Sequence, residues 1–469
     1  MLNLIKNEFV KIFAKKSSYV MIIAILVFAF AMQFLPKLVN NQYYYHDYGR
    51  ENLESDLAWY KETNSDHNND YVISLIETAL ELEIYDLFYY DGSQSWQAAY
   101  LNNTYELYYH DAYSEKSEAD ETTRQQAVNA IDACTKAIKS GDYKPYYETM
   151  KVYYADSNSE LCNKMIDWLI EHDVVPEDND WRYMLVRNNI GNAITVSNYE
   201  NNKRELDDAY DNAKAKCEIC MYRLNNNIQY GVTQLPHQEL DDNMYTAVKY
   251  IYDTPFWSSV DGSSGLLTIM CVIMIIIAGG IIAGEFGQGT IKFLLINPVS
   301  RAKIFWAKYA SVIILMILTS IFTFLSNIIA TAFAGNAGIG SPLLSYVNGS
   351  IHTGSVLGVV INTYAFDLVE YIVVITIAFM ISALFRSTAV SIGISLFVMF
   401  VGATATEIFA ALKLDYGRYL VFANWDILGI KYGNGLFPHM TVTGAVINIT
   451  IYMILFLFIA RDAFVRKEV

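Results

Sequence analysis

Apolar runs recur along the chain at lengths that suit a bilayer. A helix needs about 20 apolar residues to cross, because lipid offers no partner to a free backbone polar group. The first run is Ser18–Leu35. Basic residues precede it, but the bulky Gln33-Phe34-Leu35-Pro36-Lys37 follows with no small-residue cleavage site, so it reads as an uncleaved anchor. Gly265–Gly284 is the second. No Asp, Glu, Lys or Arg occurs from Ala310 to Phe366, which gives a third span at Ala310–Phe333 and then a Gly/Ser/Asn-rich loop with Pro342. Leu368–Phe385, with a short interfacial helix at Val356–Ala365 before it, is the fourth; Val390–Leu412 and Thr443–Ile459 are the fifth and sixth. The stretches 335–355 and 413–440 read as surface loops or re-entrant pieces.

Between the first two spans the period changes to that of a soluble helical domain. Ser114–Glu121 opens a helix whose apolar positions Ala127, Ala130, Ile131, Cys134 and Ile138 recur at three and four, and Gly141 stops it. Leu75, Leu80, Leu82 and Leu87 predict another helix, and Asn198–Asn225 one long helix. Runs alternating Val, Ile and Thr are nearly absent, so this insert is expected to be all-helical, with about eight helices. Ahead of the first span, Leu2, Ile5, Phe9, Ile12 and Phe13 form one face, with Lys6, Lys11, Lys15 and Lys16 elsewhere. A basic amphipathic helix of this kind lies in the membrane interface.

The expected fold class is an all-α membrane protein. Residues 1–17 form the interface helix, 18–37 span one, 38–262 a large helical extracytoplasmic domain, and 263–469 spans two to six, with a cytoplasmic loop at 285–309. Charge fixes the orientation. With the N-terminus inside, the cytoplasmic pieces 1–17, 285–309, 386–388 and 461–469 carry 12 basic residues against four acidic ones. The expected place is therefore the cell membrane, multi-pass, with both termini cytoplasmic and 38–262 outside.

Only 17 % of the 469 residues are charged and 53 % are hydrophobic, which excludes a uniformly soluble or disordered chain. The net charge of −16 argues against a nucleic-acid partner. It is also unevenly spread. Residues 38–262 carry 17 basic and 40 acidic residues, a balance of −23, and 27 of the 36 tyrosines. That surface is either a solvated face or an attractor for a cationic amphipathic ligand. Cys217 and Cys220 have the CxxC spacing, but with no second pair and no nearby His they do not complete a zinc set, leaving structural or redox roles open.

The segment between spans two and three is the most informative. Gly284 and Glu285 end span two, Gly287 and Gly289 allow a sharp turn, and Thr290 caps a short apolar helix, Ile291–Ile296, that Asn297-Pro298 stops. Ser300 then caps the helix leading into span three. A short helix bearing Ile291, Phe293, Leu294 and Leu295 beside Lys292 at the membrane surface is suited to a partner's cleft.

This pattern, from Glu285 through Gly289, Thr290, Leu294, Leu295, Pro298 and Arg301 to Lys303, resembles the coupling region of type-2 ATP-binding-cassette exporter permeases. Leu384-Phe385-Arg386-Ser387 is similar to that family's tight turn between spans four and five, and the likeness covers residues 1–37 and 264–469. The 225-residue insert departs from the plainest members; large first outer loops belong to permeases for sodium or drug efflux and for peptide-antibiotic immunity. The resemblance implies that Thr290–Ile296 docks into a nucleotide-binding subunit, that Glu285 lies at the inner gate, and that Arg301 and Lys303 steady the cytoplasmic surface. It also implies six spans pairing with a second copy or a related permease.

No GxxxxGK[ST] loop, HExxH or GxSxG occurs. The expectation is a transport subunit with no catalytic centre, no metal and no directly bound cofactor, ATP and Mg being held by partner ATPase subunits. Asp367, Glu370 and Glu407 lie in or near spans and are candidates for a translocation path or solvated residues at its outer mouth. The expected function is ATP-driven export of a hydrophobic or cationic peptide, drug-like or lipid cargo. Sodium or cation efflux, and a non-transporting membrane-anchored immunity protein that binds a toxin, are the alternatives.

Overall fold

The computed structural model describes residues 1–34, 49–64, 67–88, 94–114, 116–177, 179–240, 247–290, 299–385, 387–433 and 435–466. Among them, five helical stretches are long and apolar enough to cross a membrane: Pro255–Ile281, Arg301–Phe333, Val356–Leu384, Thr388–Ala411 and Val442–Arg466. The helix Lys16–Met32, with 17 residues, is apolar from Tyr19 onward. The protein is a mostly helical membrane protein.

The N-terminal helix α1 (Leu2–Ala14) turns at Lys15 into α2 (Lys16–Met32). A helical lobe follows, built of α3 (Arg50–Thr63), α4 (Asp70–Glu81), α5 (Trp96–Tyr113), α6 (Glu121–Ser140), α7 (Lys144–Tyr153), α8 (Glu160–Glu171), α9 (Trp181–Asn201) and α10 (Asp208–Asn225). Capping residues set these boundaries. The Asp120 carboxylate accepts from Thr123 N at 2.7 Å, and Gly141 closes α6 with φ +71°, a left-handed conformation that a side chain would strain. Ser95, Ser159 and Asp207 start α5, α8 and α10 in the same way. The expected long helix over Asn198–Asn225 is two helices, because the polar run Lys203-Arg204-Glu205 has nothing to bury and Asp207 restarts the chain as a cap. A main core holds the lobe together, with Leu53, Ile76, Tyr147, Met165 and Tyr183 buried in it, and a smaller cluster of Val196, Tyr199, Tyr210 and Ala213 joins α9 to α10.

The expectation of an all-α protein is corrected by a four-stranded sheet of order β2-β1-β3-β4. Strand β1 (Gly231–Leu240) pairs antiparallel with β2 (Ala247–Asp253), and its register slips between Gln234 and Glu239, where Pro236 cannot donate to the ladder. After β2 come α11 (Pro255–Gly262), α12 (Leu266–Ile281), α13 (Ala283–Gly287) and α14 (Arg301–Phe333). The stretch 335–355 then supplies a hairpin rather than a loop, β3 (Pro342–Val347) and β4 (Ser350–Ser355), and β3 lies parallel to β1 with Val232 opposite Leu343. Asn348 (φ 49°) and Gly349 (φ 80°) make the turn, the favoured pair for a two-residue hairpin.

The hairpin runs directly into α15 (Val356–Leu384), one continuous helix where a short interfacial helix and a separate span were expected. No polar break separates the two halves: Ala365 to Leu368 contains only Asp367, and buried Tyr364 is held by Asn327 and Val260. Then follow α16 (Thr388–Ala411), the short helices α17 (Val421–Asn424) and α18 (Ile427–Lys431) within the stretch read as a surface loop or re-entrant piece, and α19 (Val442–Arg466). At about 1.5 Å per residue, the 33 residues of α14 reach roughly 50 Å, well beyond the ~30 Å of hydrocarbon. The membrane core gathers Met270, Phe305 and Phe379, and Val232 of the sheet belongs to it.

Candidate functional site

Where α1, the end of α13 and the start of α14 meet, four charged side chains form a knot. Lys308 lies two turns into α14 and is 1 % exposed. Its Nζ donates to Glu8 Oε2 at 2.7 Å, to the Ile281 carbonyl at 3.2 Å and to Glu285 Oε1 at 3.3 Å. Lys11 Nζ donates to the same Glu285 oxygen at 2.8 Å. The Thr290 hydroxyl donates to the other carboxylate oxygen of Glu285. Two cations and two anions balance, and the ammonium of Lys308 has three acceptors, which is what makes a charge at that depth tolerable. Burial alone would push the Glu285 carboxyl up, but Lys308, Lys11 and the Thr290 hydrogen bond outweigh it and hold it at about 2.

Local sequence explains why Glu285 arrives there. The Ser382 hydroxyl accepts from the backbone N–H groups of Ile282 (3.2 Å) and Ala283 (3.1 Å), so α15 caps the restart of the helix as α13. Gly279 sits against the backbone of Ile392, where a Cβ would meet the Ile392 nitrogen at 3.4 Å and its side chain at 3.2 Å. Beside the knot is a hollow of about 650 Å³, bounded by Lys15, Gly284, Glu285, Lys308, Thr388 and Ile392.

The N-terminal helix is fastened through the residues of its apolar face. Ile12 is buried, Ile5 and Phe9 are half-buried, and Phe13 is 42 % exposed with its ring stacked on Phe9 at 6.3 Å. Gly289 takes φ +70° at the turn that Thr290 ends. Ile291, Lys292, Phe293, Leu294, Leu295 and Pro298 lie outside the described residues, as does Arg386. Ser300 caps α14 through Lys303 N, as its position predicted, and Arg301 Nη1 donates to the Val465 carbonyl at 3.0 Å, tying α14 to the end of α19.

Asp367 and Glu370 both lie on α15, three residues and so about one turn apart, and Asp426 is the N-cap of α18. Glu407 is exposed on α16. Among the described residues no group of three His, Cys, Asp or Glu could hold a metal ion. Cys217 and Cys220 are free and buried. Sequence reasoning missed Glu8 and Lys308. Their signals were a single carboxylate within a basic amphipathic helix and the last cation before the charge-free run of an apolar one.

Residues 240–469 match the family described as a protein of unknown function, DUF2705. Those residues include all five long apolar helices and leave out the lobe helices. The uncharacterized protein YhcI of Bacillus subtilis is 35 % identical over 216 residues, which is 45 % of this chain and 69 % of YhcI. The uncharacterized membrane protein YdbK of the same organism is 28 % identical over 221 residues, 46 % of this chain and 85 % of YdbK. No solved structure matches. At that identity, over more than two thirds of the relative's length, the chain belongs to the same family as YhcI.

Proposed function

We propose that this protein is the membrane-spanning subunit of an ATP-driven exporter, with α2 as the first of six spans and the acidic lobe outside the cell. The observation that carries the reading is the knot. Glu285 and Lys308 flank the segment 288–300, and both are fastened to the same N-terminal helix through Glu8 and Lys11. A push on that segment from a cytoplasmic ATPase would move α1, α13 and α14 as one unit rather than bend a loop. Two such subunits would enclose one cavity, and nucleotide-driven closure of the motor would bias it between inward and outward states. The cargo in this reading is a hydrophobic or cationic peptide, drug-like molecule or lipid. Supporting it, the sequence from Glu285 to Lys303 resembles the coupling region of type-2 exporter permeases, and the chain has no phosphate-binding loop of its own.

The test is co-purification. The intact chain is expressed in its native host and captured from mild detergent, and the eluate is probed for a P-loop ATPase subunit. Wild type is expected to bring the ATPase down, and Leu294→Glu to lose it while inserting normally, because a carboxylate in an apolar docking face must be desolvated without a partner. Equal ATPase recovery with Leu294→Glu would remove the docking role of this segment.

A further inference from the structure

Between the lobe and the sheet lies a second hollow, of about 600 Å³, which the exporter reading leaves without a task. Helices α9 and α10 form its walls, and the face of the sheet that carries Thr233 and Ile251 is its floor. A smaller hollow of about 450 Å³ shares Trp181 with it. Volumes in this range suit a drug-sized ligand, and such sites commonly combine apolar surface with a few convergent polar groups.

The chemistry of the lining is unusual for this lobe. In a stretch with a balance of −23, no free carboxylate faces the larger hollow. Its one acid, Asp253, is paired with Arg223 Nη1 at 2.5 Å, and Arg223 spends its remaining nitrogens on the Ile228 and Gln229 carbonyls. The remaining cation, Lys216, has interactions of its own. Amides dominate instead: Asn188, Asn189 and Asn192 on α9, Gln229 before β1, and Asn179 and Asn227 in the adjoining hollow, where the one acid, Asp180, is paired with Arg182. Asn189 is engaged with the Leu185 carbonyl and with Asn192, whereas the side chain of the exposed Asn188 makes no hydrogen bond among the described residues.

A primary amide both donates and accepts, as does a hydroxyl or an acetamido group. A rim of amides around an indole therefore matches an uncharged ligand dense in such groups and with an apolar ring face. It does not select a cation, since no carboxylate is free. It does not extend a sheet either: the floor is made of side chains of β1 and β2, and β1 is already paired on both edges. We propose that this seam is a binding site for an uncharged oligosaccharide, with Trp181 as the ring platform and Asn188, Asn192 and Gln229 reading the polar substituents. The proposal goes beyond the transport reading and does not depend on it.

The experiment uses the full chain in lipid nanodiscs free of sugar-headed detergent, with saturation-transfer NMR on two probes. These are the β-1,4-linked trimer of N-acetylglucosamine and an N-acetylated, C-amidated alanine tripeptide. Transfer is expected to the trimer and not to the peptide. Asn188 and Gln229 are both exposed, so Asn188→Ala/Gln229→Ala leaves the packing intact, and it should weaken the trimer about ten-fold or more, the loss expected for two hydrogen bonds. Trp181→Phe should retain binding that Trp181→Ala loses. No transfer to the trimer, undiminished transfer in the double variant, or capture of the peptide in its place would overturn the proposal. None of these results bears on ATPase recovery, so the two ideas fail separately.

Discussion

Lys308 shows how a single side chain can fix the meeting of three helices. Removing it leaves Lys11 alone to balance the Glu8 and Glu285 carboxylates, a loss on the order of 3–5 kcal/mol for a broken buried pair. Lys308→Met is therefore expected to lower the thermal midpoint of the detergent-purified chain sharply, and adding Glu8→Leu should recover part of that loss, because it removes the excess anion and leaves Lys11 paired with Glu285. The same knot has a pH signature. The folded Glu285 carboxyl is held at about 2, below its ordinary 4.5, so its stabilising contribution is complete above that ordinary value and is lost as pH falls through the folded one. The stability gap between wild type and Glu285→Gln, followed from about pH 6 down to about pH 3, should narrow towards the acid end. A constant gap would mean that the Glu285 charge is not what binds the knot.

Among the elements, the clamp between the 335–341 turn and the start of α11 is the most exacting. Phe256 N donates to the Ala337 carbonyl at 3.0 Å, the Thr254 hydroxyl to the Gly338 carbonyl at 3.2 Å, and the Trp257 indole to the Ile339 carbonyl at 3.0 Å. Gly338 has φ +94°, and a Cβ there would stand 2.4 Å from the Thr254 hydroxyl. Gly338→Ala should cost more than about 1 kcal/mol and expose the hairpin to limited proteolysis, whereas Gly340→Ala, with open space around it, should do neither. The long apolar helices could be read from the sequence because each supplies its own hydrogen bonds. The sheet could not, because β1 meets β3 only through folding of the whole chain. One local clue was available: Asn348-Gly349 is a hairpin turn, and Pro342 can open a strand that it could not continue. The knot was half legible. Glu285 stood out at the end of a span, but nothing local joins it to Glu8, 277 residues earlier.

The whole molecule divides into a lobe core and a membrane core, and its five cysteines report on both. Cys134, Cys162, Cys217 and Cys220 belong to the lobe core and Cys271 to the membrane core, all free and buried. Burial pushes the Cys134 and Cys217 thiols up to about 12 and Cys162 to about 11, so none is a thiolate at neutral pH. A thiol reagent should leave the native chain unlabelled and find all five cysteines after denaturation, with no reductant required. Lobe labelling without denaturant would show that its core opens independently of the bundle.

Pairing of β1 with β3 also has a bearing on how the chain is made. Two long apolar helices, Pro255–Ile281 and Arg301–Phe333, are synthesised between the two strands. At about 5–20 residues per second, the roughly 100 residues separating them take several seconds to emerge. Throughout that interval β1 has an open flank, a template for mispairing that only the arrival of Pro342–Val347 closes. Nascent chains halted before that point are the ones a chaperone or a quality-control protease would meet unfinished, whatever the state of the helices already in the bilayer.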